Sequence, residues 1–313
     1  MAGSGEDTFG NYVWRDGQLV PWAEATVHAT LVGHASVASV FEGIKAYWNP
    51  EQKQLYVFRL REHLERFFRS IKLVRLAQPY SVEELSRALV ETLRANECRE
   101  DTYIRPWIIT KTSIKKVMAP VNAPVEVLIT TWPFQTRLLS GDGCKVCVSS
   151  WKRVNEAVAP PRIKAFANYH NGRMAEMEAK LNGYDWALLL NEHGKVTEGP
   201  AACFGMVRDD TFITPDLGSG VLEGITRDTF LRIAPELAGV KVQERAVDRS
   251  ELYSADEMFF MGTGRELWPI LEVDRFPVGD GKVGRVTRML DRGYNNLVRG
   301  GSSQGAEWRT PVW

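Results

Sequence analysis

Two glycine-containing stretches of the sequence could bind a phosphate group. The stretch L-E-G-I-T-R-D spans residues 222–228 and places Gly224 directly before a predicted helix. Free backbone N–H groups and the positive end of the helix dipole favour phosphate at such a position. The turn Gly262-Thr263-Gly264 follows a buried-looking strand and could bring a hydroxyl and backbone N–H groups to the same phosphate. Taken alone, each stretch is also explained as an ordinary helix start or a tight turn.

Two cationic residues add to these two stretches. Together the four features suggest a phosphorylated, electron-withdrawing cofactor. Arg59 closes a predicted strand just before a helix, where a guanidinium could hold phosphate through two hydrogen bonds. Lys164 lies in R-I-K-A-F-A-N-Y, next to apolar residues on both sides. Apolar neighbours disfavour a charged amine, which would make this lysine a Schiff-base nucleophile. The ordinary alternative for both residues is a solvated side chain at the surface.

Periodicity predicts the elements that position these residues. A strand at residues 55–58 leads into an amphipathic helix with apolar residues at positions 60, 64, 67 and 71. Ser81 and Glu84 form a capping box at the start of a second helix. Further strands are predicted at residues 103–110, 125–131, 144–151, 185–190, 204–208, 211–214, 240–244 and 257–261, and further helices at 169–181 and 225–237. The pattern indicates an α/β chain with mixed helices and strands.

A break in this pattern indicates two domains. The stretch L-S-G-D-G at residues 139–143 interrupts the strands, and the pattern of predicted helices and strands changes after it. We therefore predict a smaller domain over residues 1–133, a linker over 134–143 and a larger cofactor-binding domain over 144–313. The Gly- and Ser-rich segment 300–305 is expected to be loosely ordered.

Composition excludes several classes of protein. The chain has 313 residues, 44% of them hydrophobic and 25% charged, which is typical of a globular protein. Its 39 basic residues balance 39 acidic ones, so no positive field favours nucleic acid. No apolar run reaches the ~20 residues of a membrane span, and we expect a cytoplasmic protein with no membrane partner. Cys144 and Cys147 are three apart on a predicted strand and would point to opposite faces, which disfavours a metal site.

Seven motifs in order resemble the class IV pyridoxal-phosphate aminotransferases and, within them, the branched-chain amino acid aminotransferases. They are F-E-G-I-K-A-Y (residues 41–47), V-F-R-L-R-E-H-L-E-R (57–66), Y-I-R-P (103–106), K-A-F-A-N-Y (164–169), N-E-H-G-K-V-T-E-G (191–199), L-E-G-I-T-R-D (222–228) and M-G-T-G (261–264). The resemblance covers nearly the whole chain. It implies the two-domain class IV fold with the cofactor between the domains, a homodimer, and no metal.

The resemblance also implies a role for each cofactor residue. Lys164 would bind pyridoxal 5'-phosphate covalently and then move a proton between the substrate Cα and the cofactor. Glu198 would face the pyridine nitrogen, and Tyr169 would hydrogen-bond the ring hydroxyl. The phosphate would be held by Arg59, Ile225, Thr226 and Thr263. The implied reaction is a ping-pong amino transfer from an amine donor to a keto acid acceptor.

The substrate pocket departs from the branched-chain pattern. Ser36 stands where these enzymes carry a tyrosine, and Gly264-Arg265 replaces two small residues. Tyr103 and Arg105 are retained and could hold a substrate carboxylate, with Phe134 as a further pocket residue. The loop after Thr110 lacks the family's usual Gly-rich turn. The alternative of an (R)-selective amine transaminase or a D-amino acid aminotransferase of the same class therefore stays open. An aminodeoxychorismate lyase and a non-catalytic homologue are lower-ranked alternatives.

Overall fold

The computed structural model describes residues 10–111 and 120–313, with the backbone alone for residues 34–36. These residues form two compact units. The first comprises the described residues up to Thr136 together with Ile163–Ala167 and Leu297–Trp313, and the second comprises Arg137–Arg162 and Asn168–Asn296. The first boundary thus falls inside the predicted linker 134–143. The division into domains 1–133 and 144–313 stays a prediction.

Strands and helices alternate along much of the chain. The strands are β1 (Tyr12–Arg15), β2 (Gln18–Pro21), β3 (Val40–Phe41), β4 (Ile44–Asn49), β5 (Gln54–Phe58), β6 (Thr102–Thr110), β7 (Val125–Pro133), β8 (Cys144–Lys152), β9 (Trp186–Leu190), β10 (Cys203–Arg208), β11 (Thr211–Thr214), β12 (Lys241–Glu244), β13 (Glu257–Gly262), β14 (Glu266–Val273), β15 (Phe276–Pro277) and β16 (Arg309–Pro311). The α-helices are α1 (Val32–Val37), α2 (Leu60–Leu73), α3 (Val82–Ala95), α4 (Phe166–Leu181), α5 (Ile225–Ala238) and α6 (Arg285–Val298). Short 3-10 helices cover Trp22–Glu24, Ala29–Leu31, Leu217–Ser219, Arg249–Ser254 and Ala306–Trp308.

The first unit is built on an antiparallel sheet. Its strand order is β16-β5-β4-β6-β7-β1-β2, with β3 paired to β6. Helices α2 and α3 contribute Leu64, Phe67, Leu85 and Leu89 to its buried core. The predicted capping box of α3 is present, since the Ser81 hydroxyl accepts the Glu84 N–H and the Glu84 carboxylate accepts the Ser81 N–H. Periodicity and capping therefore located both helices.

The second unit contains a mixed sheet. Its order is β12-β11-β10-β13-β14-β8-β9, with β15 paired to β14. The pairs β8–β9, β8–β14 and β11–β12 are parallel, and the remaining pairs are antiparallel. Cys144 and Cys147 of β8 belong to different buried clusters, the second of which includes Ala175 and Ala179 of α4. The mixture of helices with parallel and antiparallel strands agrees with the α/β class.

Several elements were not expected from the sequence, and three of them have a physical reason. Strand β14 carries Pro269 in its interior, a residue that disfavours a central strand. Helix α6 is capped from a distance, because the carboxylate of Glu257 accepts the N–H groups of Val286 (2.9 Å) and Thr287 (2.7 Å). Strand β16 lies beyond the Gly- and Ser-rich segment. That segment is anchored, since the Arg309 guanidinium donates to the carbonyl oxygens of Ser302 and Gln304.

Candidate active site

Lys164 is buried in the first unit, two residues before the start of helix α4. Only 9% of its surface is exposed. Its backbone N–H donates to Ser70 Oγ (3.2 Å), and its carbonyl accepts the Phe41 N–H (3.0 Å). The Nζ atom lies 4.9 Å from the centre of the Phe41 ring. Strand β3 and helix α2 therefore fix both the backbone and the side chain of the predicted nucleophile.

Arg105 and Tyr103 lie on the same face of β6, since they are two residues apart on a strand. The Arg105 guanidinium is 4.8 Å from the Trp132 ring and 5.7 Å from the Phe41 ring, the same ring that Lys164 approaches. Its Nε is buried and has no hydrogen-bond partner among the described residues. The structure thus brings Lys164 and Arg105 to one aromatic cluster. A buried donor of this kind is suited to a ligand carboxylate.

Phe134 joins this cluster from the end of β7. Its ring is 5.4 Å from the Tyr103 ring. The Lys45 ammonium lies 5.1 Å from the Phe134 ring and donates to the carbonyl oxygen of Gln135 (3.4 Å). Lys45 is only 2% exposed and was not proposed from the sequence, although it stands in the motif F-E-G-I-K-A-Y.

Gly43 allows the hydroxyl of Tyr103 to lie against the backbone of the F-E-G turn. A Cβ at this position would lie 1.9 Å from Tyr103 Oη. Any other residue would therefore displace the tyrosine. The close approach of the Tyr103 side chain, and not an unusual backbone conformation, explains the glycine at this position.

A buried ion network lies between β3 and α2. Glu42 accepts from Arg66 Nε and Nη2 and from His63 Nδ1, all at 2.8 Å. Burial raises the pKa of the Glu42 carboxyl, but the charge and hydrogen bonds of Arg66 outweigh it and lower this pKa to about 2. Burial also lowers the pKa of His63. No local sequence pattern indicates this network, because Glu42 lies more than twenty residues from its partners.

Arg59 is the residue between β5 and α2. It is buried, and its Nε donates to Glu62 (2.8 Å). Its backbone is in the left-handed region, with φ +52° and ψ +42°. A non-glycine residue in this region is strained, and such positions cluster at functional sites.

Glu198 occupies a buried position in the second unit. Arg153 Nη2 lies 2.7 Å from its Oε1 atom. Its Oε2 atom accepts the Leu222 N–H (3.3 Å), and the Cys203 thiol donates to it at 3.8 Å. Arg153 was not proposed from the sequence. Its position 45 residues before Glu198, in S-S-W-K-R, carries no pattern that predicts the pair.

The start of helix α5 lies beside the same thiol. Gly224 is its N-cap and supplies no side-chain cap for the following N–H groups of Ile225 and Thr226. A Cβ on Gly224 would lie 2.5 Å from Cys203 Sγ, so only glycine fits. Both Ile225 and Thr226 are buried. The second unit thus brings Glu198 and the α5 N-terminus together around Cys203.

Thr263, Gly264 and Arg265 form the turn between β13 and β14, where Gly262 pairs with Glu266. The Arg265 guanidinium is 4.9 Å from the Trp186 ring and 4.8 Å from the Trp268 ring. Burial, followed by the charge of Arg137, lowers the pKa of Arg265. Arg265 is therefore packed against two indoles and is not a fully solvated side chain.

Two predicted site residues, Tyr169 and Ser36, and the loop after Thr110 remain to be located. Tyr169 is half-buried on α4 and belongs to the second unit. Ser36 lies on α1, and its side chain is outside the described residues. The loop after Thr110 falls largely on residues 112–119, which are also outside them.

Each unit, taken by itself, contains groups of the kinds that pyridoxal 5'-phosphate requires. A buried lysine amine suits its aldehyde, and a helix N-terminus without a side-chain cap suits its phosphate. Glu198 holds one guanidinium and two weak donors, which leaves acceptor capacity for a protonated pyridine nitrogen.

A family model described as amino-transferase class IV matches residues 39–273. The chain belongs to the class IV aminotransferases. This aminotransferase is 36% identical to a probable branched-chain-amino-acid aminotransferase of Aquifex aeolicus over 303 residues, which cover 97% of each chain.

Solved structures of branched-chain aminotransferases share the fold of this aminotransferase. The enzyme of Thermobaculum terrenum in its PLP-form matches with a TM-score of 0.93 and 43% identity, covering 97% of this chain and 99% of that one. The enzyme of Thermoproteus uzoniensis with norvaline matches with a TM-score of 0.89 and 42% identity, covering 97% of this chain and 100% of that one. These likenesses confirm the expected family, the two-domain α/β fold, aminotransferase activity and the pyridoxal 5'-phosphate cofactor.

Proposed function

We propose that this aminotransferase moves the amino group of a branched-chain L-amino acid to a 2-keto acid by a ping-pong mechanism. The observation that carries the substrate class is the Arg105 guanidinium, which lies between the rings of Phe41 and Trp132. Its buried Nε has no hydrogen-bond partner within the described part of the chain. A cation in an aromatic setting suits a substrate that has one carboxylate and an apolar side chain. The full-length similarity to branched-chain enzymes supports the same class.

The cofactor residues are part of this proposal. When bound, pyridoxal 5'-phosphate supplies an electron-withdrawing ring that stores the amino group between the two half-reactions. We assign Lys164 as its covalent attachment point, Arg59, Ile225, Thr226 and Thr263 as phosphate ligands, and Tyr169 as the partner of the ring hydroxyl. Glu198 would keep the ring nitrogen protonated, with Arg153 balancing its charge in the buried site.

Lys164 is also the proposed proton carrier. Once released from the cofactor, its amine would take the proton from the substrate Cα and return it on the cofactor side. The Phe41 ring at 4.9 Å keeps one side of the amine free of water, and the hydrogen bonds of the Lys164 backbone hold it in place. Both features favour a fixed direction of proton transfer.

We propose Ser36, Tyr103, Arg105, Phe134, Gly264 and Arg265 as the residues that contact the substrate. Arg105 would hold the carboxylate, and the rings of Tyr103 and Phe134 would contact the apolar side chain. Ser36 and Arg265 depart from the branched-chain pattern and would set the range of donors accepted.

We further propose that the enzyme is a cytoplasmic homodimer. No helix of residues 10–111 and 120–313 is long and apolar enough to cross a membrane. Light scattering on the purified protein measures the assembly directly, and a monomeric mass would contradict the dimer.

The test is the half-reaction with the amino donor alone. It is monitored through the absorbance band of the lysine-bound cofactor. We expect L-leucine and L-glutamate to bleach this band, and D-alanine and (R)-1-phenylethylamine to leave it unchanged. Bleaching by the latter two alone would instead make the enzyme an (R)-selective amine or D-amino acid transaminase. No bleaching by any donor would overturn the proposal.

A further inference from the structure

The C-terminal tail packs onto strand β5, which ends directly before Arg59. Strand β16 pairs antiparallel with β5, with Arg309 opposite Phe58 and Thr310 opposite Val57. Val312 is fully buried in the core of the first unit, and its N–H donates to the carbonyl oxygen of Leu55 (3.0 Å). The tail is therefore an integral strand of the first unit.

Trp308, directly before β16, contacts Arg59 in two ways. Its carbonyl oxygen accepts the Arg59 N–H at 2.6 Å. The Arg59 guanidinium carbon lies 4.9 Å from the centre of its indole ring. The same indole meets the Phe58 ring edge-on at 6.2 Å. Trp308 thus holds both the backbone and the side chain of Arg59.

These contacts act on a strained residue. The left-handed backbone of Arg59 is unfavourable for a residue with a side chain and persists only where surrounding contacts determine it. The Trp308 carbonyl is one such contact, and the His63 N–H, which donates to the Arg59 carbonyl (3.1 Å), is another. The conformation of Arg59 depends on the tail as well as on helix α2.

The indole contact also prepares the Arg59 guanidinium for an anion. A cation–π contact attracts the charge of the guanidinium through the ring face and needs no carboxylate or carbonyl acceptor. The indole restricts the side chain, while the Glu62 carboxylate accepts the Nε–H. An arginine held this way loses little entropy on binding the dianion of a phosphate monoester.

We infer that Trp308 is a positioning residue for cofactor phosphate. It acts through Arg59, and it makes the affinity for the phosphate group depend on the C-terminal tail. The inference rests on the proposed function, which takes Arg59 as a phosphate ligand.

The experiment titrates the apoenzyme with pyridoxal 5'-phosphate and with pyridoxal, which has the same ring and aldehyde but no phosphate. Trp308→Ala should weaken the binding of pyridoxal phosphate about tenfold. This factor corresponds to the free energy of a desolvated cation–π contact. Binding of pyridoxal should not change, and Trp308→Phe should restore part of the loss.

The matched control is Trp313→Ala. Trp313 lies in the same tail and stacks on Arg99 at 4.2 Å, and its Nε1 donates to the carbonyl oxygen of Cys98. We expect this variant to bind both ligands as the wild type does. Circular dichroism of each variant verifies the fold.

A double-variant cycle tests the route through Arg59. In an Arg59→Ala background, Trp308→Ala should produce no further loss of affinity. Equal losses for pyridoxal and pyridoxal phosphate, unchanged pyridoxal phosphate affinity, or additive losses in the double variant would each overturn the positioning role. A wild-type enzyme that binds neither ligand would contradict the proposed function itself, which is a separate result.

Discussion

Two buried carboxylates, Glu42 in the first unit and Glu198 in the second, are each paired with an arginine but differ in the strength of their other contacts. Glu42 accepts three charge-assisted or imidazole donors at 2.8 Å. Glu198 has one guanidinium at 2.7 Å, a backbone N–H at 3.3 Å and a thiol at 3.8 Å. Both carboxylates therefore have three donors, but only one of those on Glu198 is short. The group with three short contacts is suited to holding the fold, and the one with a single short contact is suited to binding a ligand cation.

Neutralising Glu42 should have the largest effect on stability. Glu42→Gln leaves Arg66 buried with a weakened partner, and we expect a loss of about 3–5 kcal/mol. The thermal midpoint of unfolding measures it. Glu65→Gln on helix α2, which also carries Arg66, is the control, because the Arg61–Glu65 pair is exposed and contributes well under about 1 kcal/mol. Equal midpoints for the two variants would refute the structural role.

The pH dependence of stability sharpens the same assignment. The pKa of Glu42 is lowered from 4.5 to about 2 in the folded protein. Its stabilising contribution is therefore complete above about pH 4.5 and is lost as the pH falls toward 2. We expect the wild-type midpoint to fall across this window and that of Glu42→Gln to fall less. Parallel curves would show that Glu42 does not contribute.

Neutralising Glu198 should instead reduce turnover while leaving the protein folded. We expect kcat to fall about 100- to 1,000-fold in Glu198→Gln, since a preorganised charge partner of the reacting group is lost. Glu244→Gln is a matched control, because Glu244 also pairs with an arginine of the second unit, Arg227 at 2.6 Å, but is half-exposed. Full activity in Glu198→Gln would remove this residue from the site.

Removing the Arg105 guanidinium should have a smaller, substrate-dependent effect. Arg105→Ala should raise the KM for L-leucine roughly 10- to 100-fold, since one charged hydrogen-bond partner of the carboxylate is lost. A donor amine without a carboxylate should not be affected. Steady-state kinetics with both donor types test this, and equal changes would place the carboxylate elsewhere.

Local patterns predicted those parts of the fold that local interactions determine. Helices α2 and α3 were located because their apolar period and the Ser81–Glu84 capping box lie within or directly beside the helices themselves. Helix α6 was missed, because the carboxylate that caps it belongs to Glu257, far along the chain. The same limit applies to the site. Lys164 stands in a recognisable motif, whereas Arg153 and Trp308 contact Glu198 and Arg59 from positions far away in the sequence.

The most direct test of the account is to locate the covalent bond to the cofactor. The enzyme loaded with pyridoxal 5'-phosphate is reduced with borohydride, digested and mapped by mass spectrometry, with Lys164→Ala treated in parallel. We predict one phosphopyridoxyl group on Lys164 in the wild type, and neither label nor turnover in the variant. Labelling of a different lysine, or turnover retained by Lys164→Ala, would contradict the central assignment.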